Sequence, residues 1–88
     1  MEWKIYILFS KKLSRTYTGC SNDVEARIQR HNGRRVRATK YGVPWTLVHE
    51  ETVGNYKEAR IREKYYKNAS GRKKISEILM NWRGTQAV

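Results

Sequence analysis

Alternating hydrophobic and polar residues predict three short strands in the first half of the chain. Residues 3–9 form an apolar, aromatic and β-branched run that is typical of a buried strand. Residues 3, 5, 7 and 9 should face one side of a sheet, and Tyr6 and Leu8 should face the other. After a polar turn at 10–14, residues 15–19 predict a second strand. Pro44 precedes a third, over about 45–52.

Polar and glycine residues mark where three helices should begin and end. Residues 21–23 offer N-cap chemistry for a helix that runs to about residue 32, with Gly33 as its C′ residue. A basic loop follows over 34–43. A second helix is predicted over about 56–68, a break at Ser70 and Gly71, and a third helix over about 72–82. The order β-β-α-β-α-α predicts an α/β (α+β) fold, a three-stranded, mostly antiparallel sheet flanked by three helices. No repeat or linker divides residues 1–88, so a single domain is expected.

The first helix carries two polar residues on the stripe that should face the core. Val24, Arg27, Ile28 and His31 follow the i, i+3, i+4, i+7 spacing of a buried face. In a structural interpretation, Arg27 packs its aliphatic stem in the core and extends its charge to water, and the helix dipole favours a positive charge on His31 at the end of the helix. A functional interpretation has both side chains projecting together into a site. From this helix alone, the two interpretations are equally good.

Residues of the second helix and of the strands also allow both a structural and a functional interpretation. Glu63 is the one acid on a flank shared with Tyr56, Ala59 and Tyr66. Taken alone, it is best read as half of an i,i+4 ion pair with Lys67, which contributes only about 0.3–0.5 kcal/mol. A similar pair is expected between Glu58 and Arg62. Tyr6 and Tyr17, each taken alone, are packing residues whose hydroxyl groups find a hydrogen bond.

The charge of the chain indicates a polyanionic partner. Nineteen Lys and Arg against eight Asp and Glu give a net charge of +11, more than solubility needs in 88 residues. Trp45 is predicted to lie in the core, and the one cysteine, Cys20, is interpreted as a packing residue. That single cysteine favours a reducing, cytoplasmic location, and no membrane association is expected. Two basic clusters are expected to contact phosphates: Arg34, Arg35, Arg37 and Lys40, and Arg72, Lys73 and Lys74.

Five segments, in order, resemble those of GIY-YIG nucleases. They are Lys4-Ile5-Tyr6, Tyr17-Thr18-Gly19, the stretch from Arg27 to Gly33, Thr39-Lys40 with Val43-Pro44-Trp45, and Ala59-x3-Glu63-x3-Lys67 with Gly71-Arg72-Lys73-Lys74. Lys4 stands in place of the first Gly, and Thr18 in place of Ile. Together the segments cover nearly the whole chain. The chain is most similar to the short single-domain bacterial type and to the nuclease domain of structure-selective resolvases.

The resemblance implies metal-assisted hydrolysis of phosphodiester bonds. Tyr6 would activate the attacking water, Tyr17 would hold the water or phosphate, and Arg27 would stabilise the charge of the transition state. His31 would assist proton transfer or position the phosphate, and Glu63 would bind one Mg²⁺ or Mn²⁺ ion. The expected substrate is DNA, with RNA as the alternative. A non-catalytic nucleic-acid-binding module, and a domain activated by a protein partner or by homodimerisation, are the alternative functions.

Overall fold

The predicted order of strands and helices is confirmed. A computed structural model describes residues 2–86 of the chain. Three strands form one antiparallel sheet in the order β2-β1-β3. A 3-10 turn at Lys40–Gly42 lies within the segment that was predicted to be an irregular basic loop. The elements are β1 (Trp3–Ser10), β2 (Arg15–Ser21), α1 (Val24–Asn32), β3 (Trp45–Gly54), α2 (Tyr56–Tyr66) and α3 (Ala69–Gln86).

The central strand β1 supplies the core of both faces of the sheet. Ile5 and Ile7 point to one face and pack with Tyr66 of α2 and Ile78 of α3. On the other face, Tyr6 and Leu8 pack with Val24 of α1 and with Trp45, which is buried as predicted. Every residue of β1 from Ile5 to Ser10 is buried. The period-two pattern of the sequence therefore gave the two faces of this strand correctly.

The prediction that Gly33 is the C′ residue of α1 was wrong by one position. Gly33 has a φ of −83°, whereas Arg34 takes the left-handed value of 61°. The amide of Arg34 donates to the carbonyl of His31 at 3.1 Å, and that of Arg35 donates to the carbonyl of Arg30 at 3.0 Å. These two bonds form a Schellman motif in which Arg34 occupies the left-handed position.

The prediction that Ser70 and Gly71 break the helical region was wrong, because both residues lie in the first turn of α3. The break comes earlier, where α2 ends at Tyr66. The Asn68 side chain accepts a hydrogen bond from the Gly71 amide at 2.9 Å and so caps α3. A Cβ atom on Gly71 would lie only 2.0 Å from the carbonyl oxygen of Tyr65. Glycine is therefore needed here for close helix approach rather than for a chain break.

The predicted Glu58–Arg62 pair does not form. Glu58 instead completes a capping box with Asn55 at the start of α2. Arg62 donates to Glu51 of β3 at 2.6 Å, and the Tyr66 hydroxyl donates to the same carboxylate at 2.8 Å. Glu51 therefore ties α2 to the edge strand β3.

Across residues 2–86, none of the helices has the length and apolar character needed to cross a bilayer.

Candidate active site

Tyr6 lies at the centre of the sheet, on the face covered by α1. Its side chain has no exposed surface. In the register of the sheet it is opposite Gly19 of β2, and a Cβ atom on Gly19 would lie 2.5 Å from its hydroxyl oxygen. The missing side chain at Gly19 therefore leaves the space in which the phenol lies. Burial raises the pKa of Tyr6 above 10, and the neighbouring Arg27 opposes that rise.

His31 is fully buried behind Tyr6. Its Nε2 atom lies 3.0 Å from the Tyr6 hydroxyl, and its Nδ1 atom lies 2.7 Å from the hydroxyl of Thr39. Burial, followed by the positive charges of Arg27 and Arg30, lowers the pKa of His31 to about 4. The ring is therefore neutral near pH 7. His31 does lie in the last turn of α1, but the interpretation of it as a cation stabilised by the helix dipole was wrong.

Arg27 and Tyr17 complete the group on this face. Arg27 is half-buried beside the Tyr6 phenol, and within residues 2–86 its buried Nε atom has no hydrogen-bond partner. Tyr17 is also half-buried. Its ring centroid lies 4.8 Å from that of His31 and 6.3 Å from that of Tyr6. The two strand tyrosines and the two polar residues of the α1 stripe thus lie together.

Glu63 lies on the α2 side of the sheet and not among these four side chains. It is buried, and its two oxygens accept hydrogen bonds from Arg60 at 3.1 Å and from Lys67, the predicted partner, at 2.9 Å. Burial alone raises the pKa of this carboxyl group, but Lys67 and the other neighbours hold it below its usual value. Cys20 lies beside the carboxylate, and burial followed by Glu63 raises the pKa of its thiol. Gly19 faces Tyr6 and the next residue, Cys20, faces Glu63, so the carboxylate and the tyrosines lie on either side of the edge strand β2. The two sides meet at the edge of that strand, where Lys67, the partner of Glu63, lines the same pocket as Tyr17.

Comparison with known proteins gives a family for this arrangement. The model of the GIY-YIG catalytic domain matches residues 2–76. The chain belongs to the GIY-YIG family. A UPF0213 protein of Staphylococcus haemolyticus is 39% identical over 75 residues, which cover 84% of this chain and 90% of that protein. UPF0213 proteins of Clostridium perfringens and Staphylococcus saprophyticus are 39% and 40% identical over 75 residues, covering 84% of this chain and 80% and 90% of theirs. No solved structure matches.

Membership of the GIY-YIG family implies nuclease activity, and nucleases of this family generally use divalent metal ions. Residues 2–86 contain no cluster of three or more His, Cys, Asp or Glu side chains that could hold a metal. Mg²⁺ is commonly bound through one or two carboxylates, with water and substrate phosphates as the other ligands. A single hard-oxygen ligand such as Glu63 fits that mode of binding, whereas the soft thiol of Cys20 does not. Cys20 instead packs at the edge of the core, as the sequence indicated.

The basic clusters lie on two different elements. Arg34, Arg35 and Arg37 are exposed and Lys40 is half-buried, all in the segment after α1. Arg72, Lys73 and Lys74 are exposed near the start of α3. Arg72 lines a shallow pocket of about 260 Å³ together with Tyr17 and Lys67. The structure thus brings Arg72 of the α3 cluster next to one of the candidate tyrosines, whereas Lys74 lines a different pocket with Val48 and His49.

Two residues beside the site were not recognised as important from the sequence. Thr39 is fully buried against His31, although it lies within a basic segment. Asn32 accepts a hydrogen bond from the backbone amide of Trp45 at 2.7 Å and donates to its carbonyl at 3.1 Å, so it pins α1 to β3. Both residues belong to segments that resemble the family. That resemblance was the only signal, because isolated Thr and Asn residues are common in surface loops.

Proposed function

We propose that this protein is a divalent-metal-dependent endonuclease that hydrolyses phosphodiester bonds in nucleic acid, with DNA as the expected substrate. One observation carries the proposal. The Tyr6 hydroxyl lies between a neutral imidazole 3.0 Å away, which can accept its proton, and the guanidinium of Arg27, which favours the phenolate. A phenol has little basicity near pH 7, so both neighbours are needed if it is to activate water.

The proton transfers follow from this geometry. The water oxygen forms a bond to phosphorus, and the bond from phosphorus to the leaving sugar oxygen breaks. The proton of the water passes to the Tyr6 oxygen as the proton of Tyr6 moves to Nε2 of His31. Solvent protonates the leaving oxygen, and His31 then returns its proton to solvent. His31 is neutral before the reaction, so its Nε2 lone pair is free to accept the proton, although burial and the charges of Arg27 and Arg30 make it a weaker base than a free imidazole.

Arg27 acts on the charge of the phosphate. A guanidinium presents several donors in one plane, which suits the oxygens of a phosphoryl group. In the described conformation Tyr6 is covered, so substrate can reach it only if a neighbouring side chain moves. Arg27 is suited to that movement, since it is only half-buried and its Nε atom has no hydrogen-bond partner within residues 2–86. Its contact with Tyr6 is the interaction that a phosphate would replace. A phosphate would draw the guanidinium outward, and Tyr17 would then hold the water or phosphate in line.

Glu63 is the proposed metal ligand. A divalent ion held there would supply Lewis-acid stabilisation of the transition state at the edge of β2, where Lys67 lines the same pocket as Tyr17. The chain contributes a carboxylate that stays ionised, because Arg60 and Lys67 bind both of its oxygens. The two basic clusters, on separate elements, are proposed to contact different parts of a substrate backbone. This arrangement would favour branched or flapped nucleic acids over a simple duplex.

Cleavage of a panel of linear, nicked, flapped and branched DNAs tests this proposal. We expect cleavage with Mg²⁺ or Mn²⁺ and none after chelation. Arg27→Ala and Glu63→Gln should each lower kcat by about 100-fold or more, the usual size of effect for a charge-stabilising group, while DNA binding persists. Matched controls are Arg15→Ala, an exposed arginine at the start of β2, and Glu77→Gln, an exposed acid on α3. Both should cleave at nearly the rate of the wild type.

Three outcomes would contradict parts of this proposal. Full cleavage by Glu63→Gln would show that Glu63 is not the metal ligand. DNA binding without cleavage on every substrate would support the non-catalytic module instead. Cleavage that begins only when a protein partner is added, or only at concentrations where the chain dimerises, would support the partner-activated alternative.

A further inference from the structure

Thr39 contacts the edge of the His31 ring opposite Tyr6. Its hydroxyl oxygen lies 2.7 Å from Nδ1 of His31 and 3.3 Å from the carbonyl oxygen of Val36, to which it can donate. The side chain is almost fully buried. The indole of Trp45 donates to the carbonyl of Thr39 at 2.7 Å and holds the backbone there. Tyr6, His31 and Thr39 thus form a continuous buried chain of hydrogen bonds.

A neutral imidazole carries one proton, so only two arrangements of this chain are possible. In the first, Nδ1–H of His31 donates to Thr39, Thr39 donates to Val36, and Tyr6 donates to Nε2. Every donor then has an acceptor. In the second, Thr39 donates to Nδ1 and Nε2–H donates to Tyr6.

The second arrangement leaves the hydroxyl hydrogen of Tyr6 without an acceptor. Within residues 2–86, Nε2 of His31 is the only acceptor within hydrogen-bond distance of that hydroxyl, and the adjacent Arg27 can only donate. Buried donors in native proteins are almost always paired, so the first arrangement is favoured. It is also the only one of the two in which Nε2 can receive a proton from Tyr6.

We propose that Thr39 is a positioning residue that fixes His31 in the Nδ1–H tautomer and thereby leaves Nε2 able to take the proton of Tyr6. The effect on cleavage rests on the proposed function, whereas the tautomer does not. Thr39 lies between Arg37 and Lys40 in the chain. The segment expected to contact substrate therefore also carries the residue that sets the protonation of the buried histidine.

Nitrogen NMR of ¹⁵N-histidine-labelled protein tests the tautomer directly. The chain has only two histidines, and His49, which contacts Glu51, serves as an internal reference. At pH 7 we expect His31 to show a protonated Nδ1 and an unprotonated Nε2. Thr39→Val keeps the shape but removes the oxygen, so His31 should shift towards the Nε2–H form. Thr39→Ser keeps the oxygen and should retain the wild-type signals.

Cleavage rates give the second measurement. Thr39→Val should lower kcat by roughly 10- to 100-fold with little change in KM, the size of effect seen when a group that orients a histidine is removed. Thr39→Ser should restore most of the rate. An Nε2–H tautomer in the wild type, or an unchanged tautomer in Thr39→Val, would overturn the inference. If the wild type cleaves no nucleic acid, the proposed function fails and the NMR spectra still decide the role of Thr39.

Discussion

The buried imidazole of His31 makes the stability of the protein depend on pH. The pKa of His31 falls from 6.5 to about 4 on folding, so between these values the unfolded chain binds a proton that the folded chain excludes. The free energy of unfolding therefore rises with pH across this window and falls as the solution is acidified. The ring has no exposed surface, so solvent screens this effect little.

We expect acidification from pH 6.5 to pH 4.5 to destabilise the protein by about 2 kcal/mol, since each pH unit within the window corresponds to about 1.4 kcal/mol. Urea unfolding at a series of pH values measures this change. His31→Gln has no group at this position that titrates in the window, so its stability should fall much less, mainly near pH 4.5, where Glu51 and Glu63 begin to bind protons in the unfolded chain. Equal slopes in the two proteins would show that His31 is not the group responsible.

At the level of the helices and strands, Glu51 holds α2 against the sheet. Its carboxylate accepts hydrogen bonds from His49, Arg62 and Tyr66. Burial alone raises its pKa, but Arg62 and the other donors hold the value below the usual range. Burial, followed by the same carboxylate, raises the pKa of Tyr66 to about 12. Since Glu63 lies on the helix that these bonds fix, Glu51 stabilises the element that carries the proposed metal ligand.

Glu51→Gln should lower the free energy of unfolding by about 1–3 kcal/mol, because a neutral amide cannot accept from all three donors, one of them the cationic Arg62, as a carboxylate does. Glu50→Gln is the matched control. It removes the negative charge of the neighbouring acid, whose ion pair with Lys4 is exposed to solvent and is expected to contribute less than about 1 kcal/mol. Chemical denaturation of both variants gives the comparison. Equal losses would contradict the role of Glu51.

The order of elements could be predicted from the sequence, but part of the site could not. Period-two alternation in β1 predicted which residues lie on each face of the sheet. The polar residues Arg27 and His31 on the α1 stripe predicted which side chains lie beside Tyr6. Thr39 was missed because its importance comes from a contact with a residue eight positions away, which no local pattern records. The Glu51 network was missed for a similar reason, since it joins a strand to a helix. Gly71 was misread because close packing and a chain break both favour glycine.

At the scale of the whole molecule, charge should determine how tightly nucleic acid is bound. The net charge of +11 favours any polyanion, so affinity alone says little about which face binds. The salt dependence of binding is more informative. Each phosphate contact that is lost lowers the slope of log K against log salt by about 0.9 for duplex DNA.

The double variant Lys73→Gln/Lys74→Gln should reduce that slope by about 1.8 if both side chains contact phosphates. Lys57→Gln/Lys64→Gln is matched in charge and in helical context, because it removes two exposed lysines from α2, outside either basic cluster. Titration of a labelled duplex at several salt concentrations distinguishes them. A similar change in the two variants would indicate a diffuse attraction rather than a defined contact surface.

The burial of the proposed reaction chain has an evolutionary consequence. Tyr6, His31 and Thr39 are among the largest fully buried side chains of the described residues. Replacing any of them with a smaller residue would therefore leave a destabilising cavity in the core, in addition to removing a group from the proposed reaction. Arg27 is only half-buried and can be replaced with less damage to packing. A related protein that has lost the proposed nuclease activity and only binds nucleic acid should therefore have a substitution at Arg27 first. It should retain Tyr6, His31 and Thr39, because the core needs them for packing.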